Sequence, residues 1–377
     1  MPIQRFVHIN DRSDRLPWEL LDEIKAQLGY VPGVKVVNPD AETVIKLRQD
    51  YKTRTIIARP VLDNLSLDQS GRDWFLATAN FLRTAGAVSD LVEVPANEMF
   101  PGPDELERFA AISAEYVRLA YSAYRVHPIV GNFSVGTPEV HDITKFLPAL
   151  KAAAAAGGAF GLHEYGLPNQ FGVGWWLRRW EEFYKALAVE WPEVWGLPLY
   201  LTEFGIDGGL EHPPRPRDTA GWRGYGMSAD HYALWLTQAL VHELPTQLQM
   251  PLKGVCLFNC GDYGGNPPKW HSFEVGGAPE LAQWLATPTQ YDPNPTPEEP
   301  PVSEFNPNPY NHSVVPGGAI WNKAVENQAV ITSDELTLPG VTPDGQLAVA
   351  GSDKGLIFWT PASGAVLCAP FETPDHK

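Results

Sequence analysis

Leu91-Val92-Glu93-Val94-Pro95-Ala96-Asn97-Glu98, then the amphipathic segment Asp104 to Tyr124, then Pro128-Ile129-Val130-Gly131-Asn132-Phe133 follow one another with only short connections. The first and third stretches are short, apolar and rich in β-branched residues. The middle one is long and carries its apolar residues at helical spacing. Strand, helix, strand is the pattern of a crossover between parallel strands, which need a long connection where antiparallel ones need only a turn.

The same rhythm extends in both directions. Arg5–Ile9, Val34–Asn38 and Thr53–Pro60 read as strands before this unit, and Ala159–Tyr165, Leu199–Phe204 and Gly254–Phe258 as strands after it. Helical patterns fall between them at Trp18 to Leu28, Asp73 to Thr84, the alanine-rich Lys151 to Ala156 closed by Gly157-Gly158, Ser228 to about His242, and Glu280 to Ala286. Eight strands interleaved with helices predict an α/β chain folded as a (β/α)8 barrel over residues 1–287. A doubly wound open sheet would want a glycine-rich phosphate loop after its first strand, where this chain has Val7-His8-Ile9-Asn10-Asp11. Residues 288–316 change character: nine prolines from Pro288 to Pro316 predict a stiff linker or strap. Residues 317–377 hold the strand-like runs Ala329–Ile331, Gln346–Val349 and Gly355–Trp359, which predict a small β-rich region.

A formal net charge of −17 opposes binding to nucleic-acid phosphates or an anionic membrane surface. No run of 18 apolar residues is present to span a bilayer, and no basic-then-apolar leader opens the chain. A protein that is cytoplasmic, or exported without a visible signal peptide, is the expectation; the sequence does not reveal an oligomeric state. Cys256, Cys260 and Cys368 are too few for a disulfide framework or a metal cluster and read as buried small residues. The 13 Trp, 13 Tyr and 16 Phe exceed what a bland core demands of attention: most pack, but flat rings also suit the apolar faces of sugars.

In a parallel barrel the reactive groups stand where strands end and βα loops begin. The fourth strand leads to Asn97-Glu98 and the seventh to Leu201-Thr202-Glu203-Phe204. The two glutamates are 105 residues apart, about three βα units. Strands four and seven face each other across a barrel mouth, a position from which two carboxylates can act on opposite sides of one bond. Glu93 lies early on its strand, Glu164 alternates away from His163 and Tyr165, and Asp207 falls in a loop, so these are weaker candidates. His163-Glu164 and His242-Glu243 lack the second histidine of a zinc-protease helix. Trp175, Trp176 and Trp180 fall at helical spacing and read as packing.

Asn97-Glu98, His163-Glu164-Tyr165 and Glu203, in this order and at barrel spacing, resemble the clan A glycoside hydrolases, which include cellulases, mannanases and galactosidases. The resemblance implies hydrolysis of β-linked glycosides with retention, by Glu98 as general acid/base and Glu203 as nucleophile. It implies Asn97 on the sugar 2-hydroxyl, Tyr165 donating to Glu203, and His163 on sugar hydroxyls or on the acid. Arg59, near the end of the third strand, is a further partner for Glu203, although many clan members carry this arginine one strand earlier. It implies an oligosaccharide or polysaccharide substrate and neither metal nor cofactor. Many clan members end strand eight in a tryptophan, where this chain reads Leu257-Phe258-Asn259. Phe258 could stand in, or Trp222 or Trp270 could reach over from long loops. A muramidase-like wall hydrolase and a catalytically silent carbohydrate-binding barrel remain as alternatives.

Overall fold

The computed structural model describes residues 3–287, apart from 11, 13, 14, 63, 100, 101, 103, 170–176, 242–250 and 262–269, and the segments 338–341, 348–352, 355–360 and 365–370. The proline-rich stretch 288–316, the run Ala329–Ile331, the His242-Glu243 pair, and Trp175 and Trp176 lie outside the described residues. Contacts divide the chain into a unit Met1–Tyr291 and a unit Asp292–Lys377.

The first unit is built on eight strands: β1 (Gln4–Ile9), β2 (Gly33–Val37), β3 (Thr55–Arg59), β4 (Leu91–Glu93), β5 (Pro128–Phe133), β6 (Ala159–Gly166), β7 (Leu199–Ile206) and β8 (Leu252–Cys260). Each pairs in parallel with the next, and β8 pairs with β1 to close the barrel. The expected (β/α)8 fold is therefore present. Around it lie α1 (Leu16–Leu28), α2 (Ala41–Gln49), α3 (Gly71–Phe81), α4 (Leu106–Tyr124), α5 (Leu147–Ala155), α6 (Arg179–Glu190), the single turn α7 (Arg217–Ala220), α8 (Ala229–Val241) and α9 (Pro279–Ala286). Some of these helices start on a side-chain cap. Asp40 accepts from Thr43 N at 2.7 Å ahead of α2, and Ser70 forms a reciprocal capping box with Asp73 ahead of α3. No helix among the described residues is long and apolar enough to cross a membrane.

Strand alternation sorts the core into two parts. Outward-facing residues such as Val34, Val36, Ile56, Val92, Phe160, Leu162, Leu199 and Leu201 pack under the helices. Inward-facing Phe6, Ile57, Leu91, Ile129, Ala159 and Cys256 plug one end of the barrel. Further along the same strands the inward positions are His8, Lys35, Arg59, Glu93 and His163, so the apolar plug is followed by a charged layer towards the strand ends. Cys256 and Cys260 are buried, as expected; the side chain of Cys368 lies outside the described residues.

The fourth strand is shorter than the expected Leu91–Glu98, because regular pairing stops at Glu93. Pro95 has no N–H to give to a ladder. Beyond Glu93 the chain still follows β5, through Val94 N to Ile129 O at 2.9 Å and Glu98 N to Asn132 O at 3.0 Å. Four residues on one side span three on the other, so this segment bows and ends with Glu98 in the left-handed region at φ 50°. In the second unit the described strands β9 (Leu338–Val341), β10 (Ala348–Ser352), β11 (Gly355–Thr360) and β12 (Ala365–Pro370) form an antiparallel sheet in the order β12-β11-β10-β9.

Candidate active site

Glu203 reaches the barrel interior through an irregularity in β7. Its ladder with β6 pairs Leu162 with Leu201 and then His163 with Glu203, skipping Thr202. Thr202 and Glu203 thus both face inward, and Glu203 lies beside His163. An uninterrupted ladder would instead set Glu203 beside Glu164, on the outward face. Thr202 Oγ1 donates to Asn132 Oδ1 at 2.8 Å, which anchors the bulge to β5. Asn132 itself is left-handed at φ 47°, and a Cβ on the neighbouring Gly161 would come within 2.2 Å of its Oδ1. A glycine is required there for the asparagine to reach Thr202.

Around Glu203 the charge is arranged with a sign. Arg59 Nη1 donates to Oε1 at 2.9 Å, and Tyr165 Oη donates to Oε2 at 2.9 Å. Lys35 Nζ is 3.5 Å from Oε1, and His163 Nδ1 is 3.4 Å from Oε2. Burial alone would raise the pKa of this carboxyl, but its neighbours His163, Lys35 and Arg59 outweigh burial and hold the group well below its ordinary range. The Tyr165 phenol is pushed well up by burial, then by Glu203 and Glu98, so it stays protonated and available as a donor.

Glu98 has a different environment. Its side chain is 39 % exposed against 7 % for Glu203, and its Oε1 lies 3.1 Å from His163 Nδ1. One oxygen of Glu98, one of Glu203 and a ring nitrogen of His163 all lie within 4.8 Å of one another. Three such ligand atoms could hold a divalent cation in principle, but Arg59 and Lys35 already place two positive charges on Glu203. That arrangement disfavours a third.

Both glutamates open into one cleft of about 790 Å³, lined also by Asn97, Arg59, Tyr165, Phe258 and Trp270. Asn97 lines the cleft wall, and its buried Oδ1 has no hydrogen-bond partner among the described residues. Trp270 sits edge-to-face on Phe258 and Phe273, at 5.4 and 5.5 Å, and the Arg217 guanidinium lies 4.6 Å from its ring centre. Phe258 ends the inward row of β8. It lines the cleft where the sequence has no strand-eight tryptophan, and its peptide bond to Asn259 is cis.

Trp222 is a correction. It is 3 % exposed, stacks on Tyr232 with ring centres 4.9 Å apart, and donates from Nε1 to Phe273 O at 3.3 Å. It is a core residue and does not line the cleft. The glycines around it suggest an open loop in sequence, yet they serve close packing: a Cβ on Gly221 would meet Ser272 O at 2.4 Å and one on Gly224 would meet Thr219 O at 2.0 Å. Glu164 faces outward as its alternation implies, accepting from Arg178 N at 2.7 Å and Trp180 N at 3.0 Å at the start of α6. Trp180 is buried against Tyr184.

Sequence reasoning missed Lys35 and His8. Lys35 is fully buried in the middle of β2, and its sequence signal was a charge interrupting Gly33-Val34-Val36-Val37. His8 is fully buried on β1, with both ring nitrogens unpartnered; burial, then Lys35, pushes its pKa well down, so it is a neutral ring at neutral pH. Glu93, set aside as too early on its strand, is fully buried 3.1 Å from Lys35 Nζ.

No family model and no curated protein matches the sequence. Among solved structures the chain is similar to the endo-beta-1,4-mannanase from Thermotoga petrophila, at 14% identity and a TM-score of 0.43, over 76% of this chain and 75% of that one. It is similar to a triple mutant of the endo-beta-1,4-glucanase from Xanthomonas axonopodis pv. citri, at 8% identity and 0.41, over 75% and 99%. It is also similar to a truncated 3-deoxy-D-arabino-heptulosonate 7-phosphate synthase from Thermotoga maritima, at 12% identity and 0.37, over 76% and 84%. These are likenesses at low identity, and the functional reading rests on the side chains at the strand ends.

Proposed function

We propose that the protein is a retaining hydrolase of β-linked glycosides, acting on an oligosaccharide or polysaccharide by double displacement. The observation that carries this reading is that an oxygen of Glu98 and an oxygen of Glu203 come within 4.8 Å in one cleft, with Glu203 paired to Lys35 and Arg59. Retaining glycosidases hold their carboxyl groups about 5–5.5 Å apart, whereas inverting ones leave about 6.5–9.5 Å for a water. The separation here supports direct attack.

In the first step Glu203 attacks the anomeric carbon as the bond to the leaving oxygen breaks, and Glu98 gives that oxygen its proton. In the second, Glu98 takes a proton from water, and the resulting hydroxide displaces Glu203 to restore both groups. Arg59 and Tyr165 hold Glu203 ionised and fixed in direction. Asn97 lines the cleft beside Glu98, where its side-chain amide can meet a sugar hydroxyl, and His163 lies between the two carboxylates, where it can orient Glu98. Trp270 and Phe258 offer apolar faces to the sugar.

Glu203→Ala should have no measurable turnover of an activated aryl β-glycoside, and azide should restore part of it with formation of the inverted glycosyl azide. Full activity in that variant would end the assignment. Oligosaccharide binding by calorimetry, with every tested glycoside left intact by the unaltered protein, would favour a silent binding barrel instead.

A further inference from the structure

Lys35 has no place in the two-step chemistry. It is fully buried, does not line the cleft, and cannot touch a sugar. Its Nζ donates to Thr202 O at 2.8 Å, stands 3.1 Å from Glu93 Oε1, and stands 3.5 Å from Glu203 Oε1. The ammonium therefore faces one oxygen on each of three groups: the backbone of the β7 bulge, a buried counter-charge, and the nucleophile.

We propose that Lys35, anchored by Glu93, is a positioning residue that presents a fixed positive charge to Glu203 from inside the barrel, holding it in the carboxylate form and holding the bulge that aims it. The inference rests on Glu203 being the nucleophile. Glu93 is fully buried and has no well-formed hydrogen bond, so it is bound by charge, to Lys35 and more weakly to Arg59 Nε at 3.9 Å. A buried ion pair adds little to stability over an apolar pair of the same size. Two charges that stop short of solvent but meet a third at a reactive centre are better explained by their effect on that centre.

The other groups facing Glu203 are Arg59 from β3, His163 and Tyr165 from β6, and His8 from β1, which burial keeps neutral at neutral pH. Glu98 and Asp207 face it from beyond the ends of β4 and β7. Cys256 on β8 also faces this layer, its thiol pushed far up and hence neutral. Arg59 approaches from the cleft side and lines it, so its charge is open to solvent and ligand. Lys35 is the cation that a bound sugar cannot displace.

The test is the titration of Glu203 followed by carboxyl carbon NMR, assigned by the signal lost in Glu203→Gln, alongside the acid limb of kcat/KM. Lys35→Met should move the Glu203 midpoint up by about one pH unit or more, the size expected for loss of an adjacent opposite charge. Glu93→Gln breaks the same ion pair but keeps the ammonium, so it should not move the midpoint up. If Lys35→Met does not fold, Lys35→Met/Glu93→Gln removes both charges and should show a smaller upward move, because the nearer cation outweighs the anion behind it. Lys35→Arg should restore the original midpoint.

An unmoved midpoint in Lys35→Met, or in the double variant where the single does not fold, would overturn the inference. So would an equal rise in Glu93→Gln, which would make the pair a matter of packing. A midpoint that moves as described in a protein that hydrolyses no glycoside would uphold the charge pairing and reject the proposed function.

Discussion

Tyr165 and Arg59 divide the two oxygens of Glu203 between them, and that division is a testable property of single side chains. Tyr165→Phe removes one donor to a buried charge while leaving the ring in place. A hydrogen bond to a charged group contributes about 1.5–3 kcal/mol, so kcat/KM should fall about ten- to a hundredfold with little change in fold, measured on an aryl glycoside. The tryptophans separate in the opposite sense. Trp222→Ala empties a buried, stacked position and should cost about 3–5 kcal/mol in denaturant unfolding. Trp270→Ala removes a cleft wall, so its main effect should be a raised KM with a smaller loss of stability. That Glu98, Glu203, His163 and Tyr165 come together was legible in the sequence, because they occupy strand ends of one barrel. Trp222 was misread because a glycine-rich loop has the same composition whether its glycines serve openness or close backbone contact. Lys35 carried a legible signal, a lysine within a run of valines, but its partners lie on β4 and β7, and no spacing in the chain indicates them.

At the scale of elements, the decisive feature is the slip between β6 and β7. Strict alternation along Leu199-Tyr200-Leu201-Thr202-Glu203 would place Glu203 on the same face as Leu199 and Leu201, outside the barrel. The extra residue at Thr202 turns it inward, a use of a β-bulge that re-aims a side chain. The bow after β4 does the corresponding work for Glu98, at the cost of a left-handed backbone on a residue with a Cβ, about 1–2 kcal/mol. Glu164 acts between elements. Its carboxylate caps α6 through two backbone N–H groups, even though burial pushes its pKa up to about 7. Glu164→Ala should leave those donors unsatisfied and lower stability by about 1–3 kcal/mol, read from the denaturant midpoint. Alternation alone was enough to predict that Glu164 faces away from the site, because β6 is regular there.

For the barrel unit as a whole, an apolar plug at one end and a charged layer towards the other couple stability to pH. The folded-state pKa of Glu203 is depressed, whereas an unfolded glutamate titrates near 4.3. Its contribution is therefore complete above about pH 4.3 and is lost as pH falls from there through the folded value, because the unfolded state takes up its proton first. The denaturant midpoint should fall below about pH 4, and less steeply in Glu203→Gln, which is already weakened at neutral pH by leaving Glu93 as the counter-charge to both Lys35 and Arg59. An equal slope in both proteins would show that other groups set the acid limit. By itself the sequence determined the eight strands, the helices between them, the closed parallel architecture and the strands that carry the glutamates, because periodicity and capping are local properties of a chain. The tertiary structure decided which way Glu203 points, how near it comes to Glu98, and which buried cations surround it. Those depend on a one-residue slip between two strands and on contacts among residues more than a hundred positions apart, and neither leaves a periodic trace in the sequence.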